Sequence, residues 1–379
     1  MFTKILRIEI ISVVVLGLWA VPLRLPSRPI LQTGDPIPIQ NIDDCKIVYS
    51  LGYTSLHIIN GNGENQHSLT DEPGGYPVWS PDGRYIAFVS PRESHSLYVI
   101  ESDGTNLRRL AENLFPYETP AWSPNGTQIA FISDTKADPL RQTRLYVVDV
   151  DGGEPRRLGD INGYYGYPSW SPDGTQIAFD VTNPRNAQQA KLLVGSSNLA
   201  QSEVQSNIYL ITPDGGTLWT LVQDGFYPRW SPDGEHIAFV SRRNTQADIF
   251  LVDVSSENEH NLTESAGNDY RPRWSPDGEH IAFVSDRDEN KEIYIVDSSG
   301  SNQRNLTNRE AEDDWPNWSP DGKYLVFTSD STNPIFDDLW VLDLDNAYLY
   351  PITHETNHEH PMWSPVCSNT NDDFDKSSN

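Results

Sequence analysis

Seven tryptophans, each followed by Ser-Pro, constrain this chain more than any other feature: Trp79, Trp122, Trp170, Trp230, Trp274, Trp318 and Trp363. All but the last continue as Asp-Gly or Asn-Gly and then into an apolar run such as Ile-Ala-Phe-Val. Most intervals are about 44 residues, the length of one four-stranded propeller blade; two are longer and carry inserts. Within a repeat, Pro-X-Trp-Ser reads as a short innermost strand. Ser-Pro-Asp-Gly reads as a turn, with proline presetting φ, aspartate tolerating the next position and glycine closing it. Tyr85 to Ser90 is β-prone and reads as the second strand. Ser96 to Ile100 reads as the third, with an aromatic position that recurs as Tyr146, Tyr209, Phe250, Tyr294 and Trp340, and as His57 in the first copy. Ser102-Asp103-Gly104 turns the chain into a fourth strand ending at Leu110. No long helical pattern interrupts this alternation. One such sheet cannot bury both faces, whereas sheets stacked around an axis can. The fold expected is all-β, a seven-bladed β-propeller, with six or eight blades as the alternatives.

The blade count rests on the chain ends. Cys45 directly precedes a second-strand sequence, Lys46 to Ser50, so the first copy lacks an innermost strand. The last copy, Pro361 to Pro365, has only that strand. Together they make one composite blade that closes the ring and removes its open edges. Aligned on the repeat, Cys367 falls at the position of Gly83 and Cys45 at that of Arg84, neighbours in an intact turn. A disulfide between the two is expected, with two buried free thiols as the alternative. Such a bond fits an oxidising compartment and, in the chain-entropy model, contributes on the order of 4–5 kcal/mol.

Pro-X-Trp-Ser-Pro-Asp-Gly followed by Ile-Ala-Phe resembles the WD-like propeller repeat of the TolB family, which also occurs in propeller domains attached to tricorn-type and prolyl-oligopeptidase-type proteases. The resemblance runs from about Lys46 to Pro365. It implies a propeller and leaves function open, because one fold hosts many functions. The TolB propeller has six blades and follows an α/β domain. Seven are counted here, and Leu31 to Asp44 offers no room for that domain. No G-x-S-x-G nucleophile elbow is present, so the likeness to protease-linked propellers implies no protease activity.

Residues 1–29 read as a signal peptide or N-terminal anchor. Lys4 and Arg7 precede an apolar run from Ile10 to Val21, shorter than the roughly 20 residues of a membrane span. Residues 30–44 read as a linker, 45–367 as the propeller and 368–379 as a disordered tail. The formal net charge of −27 argues against nucleic acid and against an anionic membrane surface. The expectation is an exported monomer, periplasmic or extracellular, with membrane attachment only through an uncleaved anchor.

Function then falls to the loops. Aromatics gather just before the motif proline at Tyr76, Tyr167, Tyr227 and Trp315. Around a ring they would stand at the channel mouth, as stacking platforms or as packing against the neighbouring blade. Arg229 and Arg273, between proline and tryptophan, are candidates for holding an anion or for pairing with nearby acids. An insert at about 183–206, with a short helical pattern at Ala187 to Val194, is a candidate lid or docking arm. His354, His358 and His360 lie with two glutamates within seven residues and offer ligands for a divalent metal, or form a solvated loop. Asp82, Asp173, Asp233, Asp277 and Asp321 are turn formers. The favoured reading is a non-catalytic binding propeller presenting an aromatic, acidic loop face to an envelope protein or glycan, without a cofactor. The alternative is a metal-dependent saccharide lyase or hydrolase built on the histidine loop.

Overall fold

The computed structural model describes residues 32–33, 42, 44–91, 95–112, 119–134, 142–183, 205–333, 336–354 and 357–367. Residues 1–29, expected to be a signal peptide or anchor, most of the 183–206 insert and the tail from residue 368 lie outside the described residues. Among the described residues no helix is long and apolar enough to cross a membrane.

Seven antiparallel sheets form the propeller. Each is a simple up-and-down meander. In the first full blade, Gly75–Trp79 is innermost, followed outward by Tyr85–Ser90, Ser96–Glu101 and Arg108–Glu112. Corresponding blades span residues 121–158, 164–222, 226–261, 269–305 and 313–351. The seventh is composite: His358–Trp363 from the chain end pairs with Lys46–Leu51, which continues into Ser55–Asn60 and His67–Thr70. Cys45 and Cys367 are joined by a disulfide beside this closure, with Cα atoms 4.2 Å apart. In the stretch expected to be linker, Gln32–Thr33 pairs in parallel with Tyr348 and Leu349 and adds a fifth strand to the outer edge of the sixth blade.

Proline is tolerated within the innermost strands because they are edge strands, where a missing N–H costs no ladder bond. The Ser-Pro-Asp-Gly turn satisfies itself. Ser80 Oγ donates to Asp82 Oδ1 (2.6 Å) and accepts the Tyr85 N–H (2.9 Å), while the Gly83 N–H returns to Ser80 O (2.9 Å). Gly83 sits at φ 70°, a left-handed position that suits glycine. Asn125 does the same work as the aspartates, accepting from Ser123 Oγ at 2.7 Å. The repeated aspartates are turn formers, as their spacing suggested.

Second strands are buried on both faces because each is sandwiched between neighbouring blades. Their phenylalanine faces the third-strand aromatic in strict register. Phe88 opposes Tyr98 with ring centroids 5.6 Å apart, and Phe131–Tyr146, Phe239–Phe250 and Phe283–Tyr294 repeat the pair at 5.7 Å. The motif tryptophans tie blade to blade. The indole N–H of Trp79 donates to Met362 O, Trp122 to Val78 O, Trp170 to Ala121 O, Trp274 to Arg229 O and Trp318 to Arg273 O, each at 3.0–3.1 Å. Trp230 and Trp363 differ: their indole N–H meets no protein acceptor among the described residues. There the backbone N–H is held instead, by Ser169 Oγ (3.4 Å) and Asn317 Oδ1 (3.1 Å) of the preceding blades. Around Trp363 the fit is close, since a Cβ on Gly61 would meet its ring at 2.6 Å.

Candidate functional site: a collar at the neck of the channel

A residue before proline favours extended backbone. In six of the seven blades the residue before the motif proline is instead left-handed: Tyr76 (φ 54°), Tyr167 (46°), Tyr227 (61°), Arg271 (53°), Trp315 (58°) and His360 (55°). None is glycine, and each such position costs on the order of 1–2 kcal/mol. The innermost ladder slips at the same place in every one of these blades, for example between Gly75 and Val78 and between Tyr270 and Arg273. These are β-bulges, and a bulge re-aims a side chain. The remaining blade carries Thr119 there, without the left-handed turn.

The six re-aimed side chains meet across blade boundaries in two groups, Tyr76–His360–Trp315–Arg271 and Tyr167–Tyr227. Ring centroids of Tyr76 and His360 lie 4.1 Å apart, those of His360 and Trp315 4.2 Å, and those of Tyr167 and Tyr227 4.2 Å. The Arg271 guanidinium stacks on Trp315 at 3.9 Å and bonds Asp314 Oδ1 (2.9 Å) and Oδ2 (3.0 Å). Arg273 Nη2 reaches Tyr227 Oη at 3.5 Å, and Arg229 lies over the Tyr227 ring at 4.4 Å. The result is a collar around the channel axis. A cavity of about 20 Å³ among Tyr76, Thr119, Arg273, Trp315, Asn317 and His360 leaves room for roughly one water at this level.

Charge in the neck is lopsided. Burial pushes the Tyr227 hydroxyl up, but Arg273, Arg229 and Arg271 together outweigh it and bring it below its ordinary value. Burial, reinforced by Arg271 and Arg273, depresses His360 to about 3, so its imidazole is neutral at physiological pH. Under the collar, Asp180 replaces the apolar residue found at this second-strand position in most blades. Its Oδ1 accepts the Tyr227 N–H at the bulge (3.1 Å) and its Oδ2 faces Ser206 Oγ (3.4 Å). Burial raises Asp180 to about 7, against the opposing pull of these bonds and of Arg229.

The candidate residues are therefore brought together selectively. Tyr76 and Tyr227 are only 7% and 6% exposed, so they act as packing within the collar, while Tyr167 and Trp315 keep part of their rings open. Arg229 and Arg273 do reach the neck. Arg271 and His360 complete the collar and are absent from the aromatic pattern, although their position before the motif proline marks them.

The expectation of a metal held by His354, His358 and His360 is corrected. Their ligating atoms do not converge within 4.8 Å of one another. His354 is exposed. His358 is fully buried, its Nδ1 donating to Asp337 O at 3.0 Å and its ring 5.1 Å from Tyr49. His360 stacks in the collar next to two arginines, a poor neighbourhood for a cation. Because a bulge separates His358 from His360, adjacency in sequence does not carry over into space.

Residues 54–208 and 223–370 match the family described as the TolB beta propeller domain (PD40). Among solved structures, TolB from Acinetobacter baumannii is similar at 18% identity with a TM-score of 0.55, covering 86% of this chain and 68% of that one. An oligogalacturonate lyase in complex with manganese is similar at 18% identity and a TM-score of 0.57, covering 74% and 80%. A puromycin hydrolase mutant complexed with PGG is similar at 16% identity and a TM-score of 0.63, and this chain covers 53% of it. At these identities the likeness shows the fold alone. No match is found among curated protein sequences.

Proposed function

The chain belongs to the TolB β-propeller family, and on that premise we propose that it is an exported, non-catalytic binding module that engages an envelope protein or glycan through its channel face. The observation that carries this reading is the collar. Six blades each adopt a strained left-handed turn to direct a bulky aromatic, arginine or histidine side chain to one place. Packing alone does not require that, since Thr119 closes its own blade without it. Strain that persists at one locus is what a binding site stores.

Tyr76, Tyr227 and His360 form the rigid back of the site, and the open rings of Tyr167 and Trp315 are its contact surface. Rigid aromatics lose little conformational entropy on binding, which suits recognition. The apolar segment within residues 1–29 and the Cys45–Cys367 disulfide, a bond that persists in oxidising compartments, support export to a periplasmic or extracellular site. The alternative, a metal-dependent saccharide lyase or hydrolase, would need a ligand set other than His354, His358 and His360 together.

The test is capture from envelope extracts by wild type and by Trp315→Ala and Tyr167→Ala variants. Both substitutions are expected to abolish capture of the same partner while the ring still folds, with a cooperative melting transition at a somewhat lower temperature. Undiminished capture by both variants sinks the collar as the contact surface.

A further inference from the structure

Beneath the collar lies a second layer, the residue before each motif tryptophan. Over four consecutive blades it is polar: Ser169, Arg229, Arg273 and Asn317. Over the other three it is apolar: Met362, Val78 and Ala121. The neck is thus one-sided, with its cations on one wall.

Those cations are under-compensated. Arg271 has Asp314, which also accepts from Lys291 Nζ at 3.4 Å. Among the described residues neither Arg229 nor Arg273 has a carboxylate within 4.0 Å. Arg229 Nη1 donates to Pro228 O at 3.1 Å, and Arg273 reaches only the Tyr227 hydroxyl. Asp180 feels the charge of Arg229, and its burial favours the neutral form. Away from the neck, buried Arg144 is held by carbonyl oxygens of Thr143, Gly163 and Gln142, whereas two other arginines are matched by acids. Arg287 grips Asp269 at 2.9 and 3.0 Å, and Arg309 grips Asp313 at 2.6 and 3.0 Å. A chain with formal charge −27 that leaves two guanidiniums unmatched in its neck has reserved them for an anion.

We infer that the neck of the channel is a carboxylate site, in which Arg273 and Arg229 take the anion, Tyr227 Oη and Asn317 flank it, and the collar closes over it. The guanidinium fork matches a planar carboxylate better than a spherical ion. The cavity beside Arg273 and Asn317 holds about one water, so only the tip of an anion enters it, and the ligand is a small carboxylate or the carboxylate tip of a longer chain. This deepens the binding reading of the same collar by naming the chemistry of its ligand.

The experiment is calorimetric titration with sodium acetate, with neutral acetamide and with sodium chloride at matched ionic strength. Acetate is expected to bind and to raise the melting temperature, acetamide to do neither, and chloride to bind at least about tenfold more weakly. Arg273→Gln and Arg229→Gln should each weaken acetate by roughly tenfold or more, the worth of a charge-assisted bond. Arg304→Gln, the same charge change on an exposed outer strand, should not. Arg273→Lys keeps the charge without the fork, and an intermediate loss is expected from it; it carries the test should the glutamine variant fail to fold. A tetrapeptide with a free C-terminus, compared with its amide, separates the sources: tighter binding than acetate identifies a chain end, equal binding a free anion. Equal binding of acetamide or chloride, or an equal loss in Arg304→Gln, overturns the inference. Absent acetate binding alongside loss of partner capture in Trp315→Ala rejects the carboxylate alone. Acetate binding without any captured partner rejects the partner reading alone.

Discussion

Asp180 shows how much one side chain can set in this ring. It is the acceptor that holds the Tyr227 bulge in place, and its carboxyl titrates at about 7 instead of near 4. Below pH 4 the group is protonated both in the fold and in the unfolded chain, and its contribution is whole. As pH rises towards 7 the unfolded chain gives up the proton first, and stability falls, until above 7 the buried carboxylate is ionised in both states. The decline is expected to be on the order of a few kcal/mol. Asp180→Asn keeps an acceptor for the Tyr227 N–H and removes the titration. Melting curves from about pH 4 to 8 should therefore converge at the acid end and separate at the alkaline end, with the variant more stable there. His360 acts in the opposite direction, since a histidine depressed to about 3 withdraws stability as pH falls from about 6.5. Reading the difference between wild type and variant isolates Asp180 from it. Neither residue announces its role in sequence. Asp180 differs from its counterparts only as an acid in an apolar strand, and His360 looks like one member of a polar cluster. The aromatic collar residues were legible because aromatics before a proline repeat visibly; Arg271 and His360 share the position without sharing the residue type.

At the scale of strands and turns almost everything was legible, because the repeat writes the geometry directly. Pro-X-Trp marks an edge strand, Ser-Pro-Asp-Gly a self-satisfied turn, and Ile-Ala-Phe a strand buried on both faces. The bulge before each proline was not, since it arises where the backbone trades ladder register for side-chain direction. Nor was the role of the tryptophan indole as a bond between blades. That role makes an uneven prediction. Trp122→Phe removes a buried donor and leaves Val78 O short of a partner, and is expected to destabilise by about 1–3 kcal/mol. Trp230→Phe removes an indole N–H that meets no protein acceptor, so its cost should be less than half as large. Urea denaturation of the two variants decides it; equal costs would mean that the indole bonds contribute nothing beyond packing.

For the whole molecule, closure is the central fact, and the sequence carried it in two incomplete repeats and two cysteines. The disulfide bridges a separation of 322 residues, so the model of a constrained unfolded chain gives it a contribution on the order of 5 kcal/mol. A Cys45→Ser, Cys367→Ser double variant is expected to melt markedly lower, and reduced wild type should melt with it. Closure has a further consequence, in time. The strand Lys46–Leu51 leaves the ribosome long before its inner neighbour, His358–Trp363. At ordinary rates of synthesis the interval between them is tens of seconds. Throughout that interval the earliest sheet shows a bare margin to any passing strand, its own or another chain's. A ring whose closing strand lies so far downstream of its partner cannot shut until that strand is made, and keeping the early strands unpaired until then is the safer order of events.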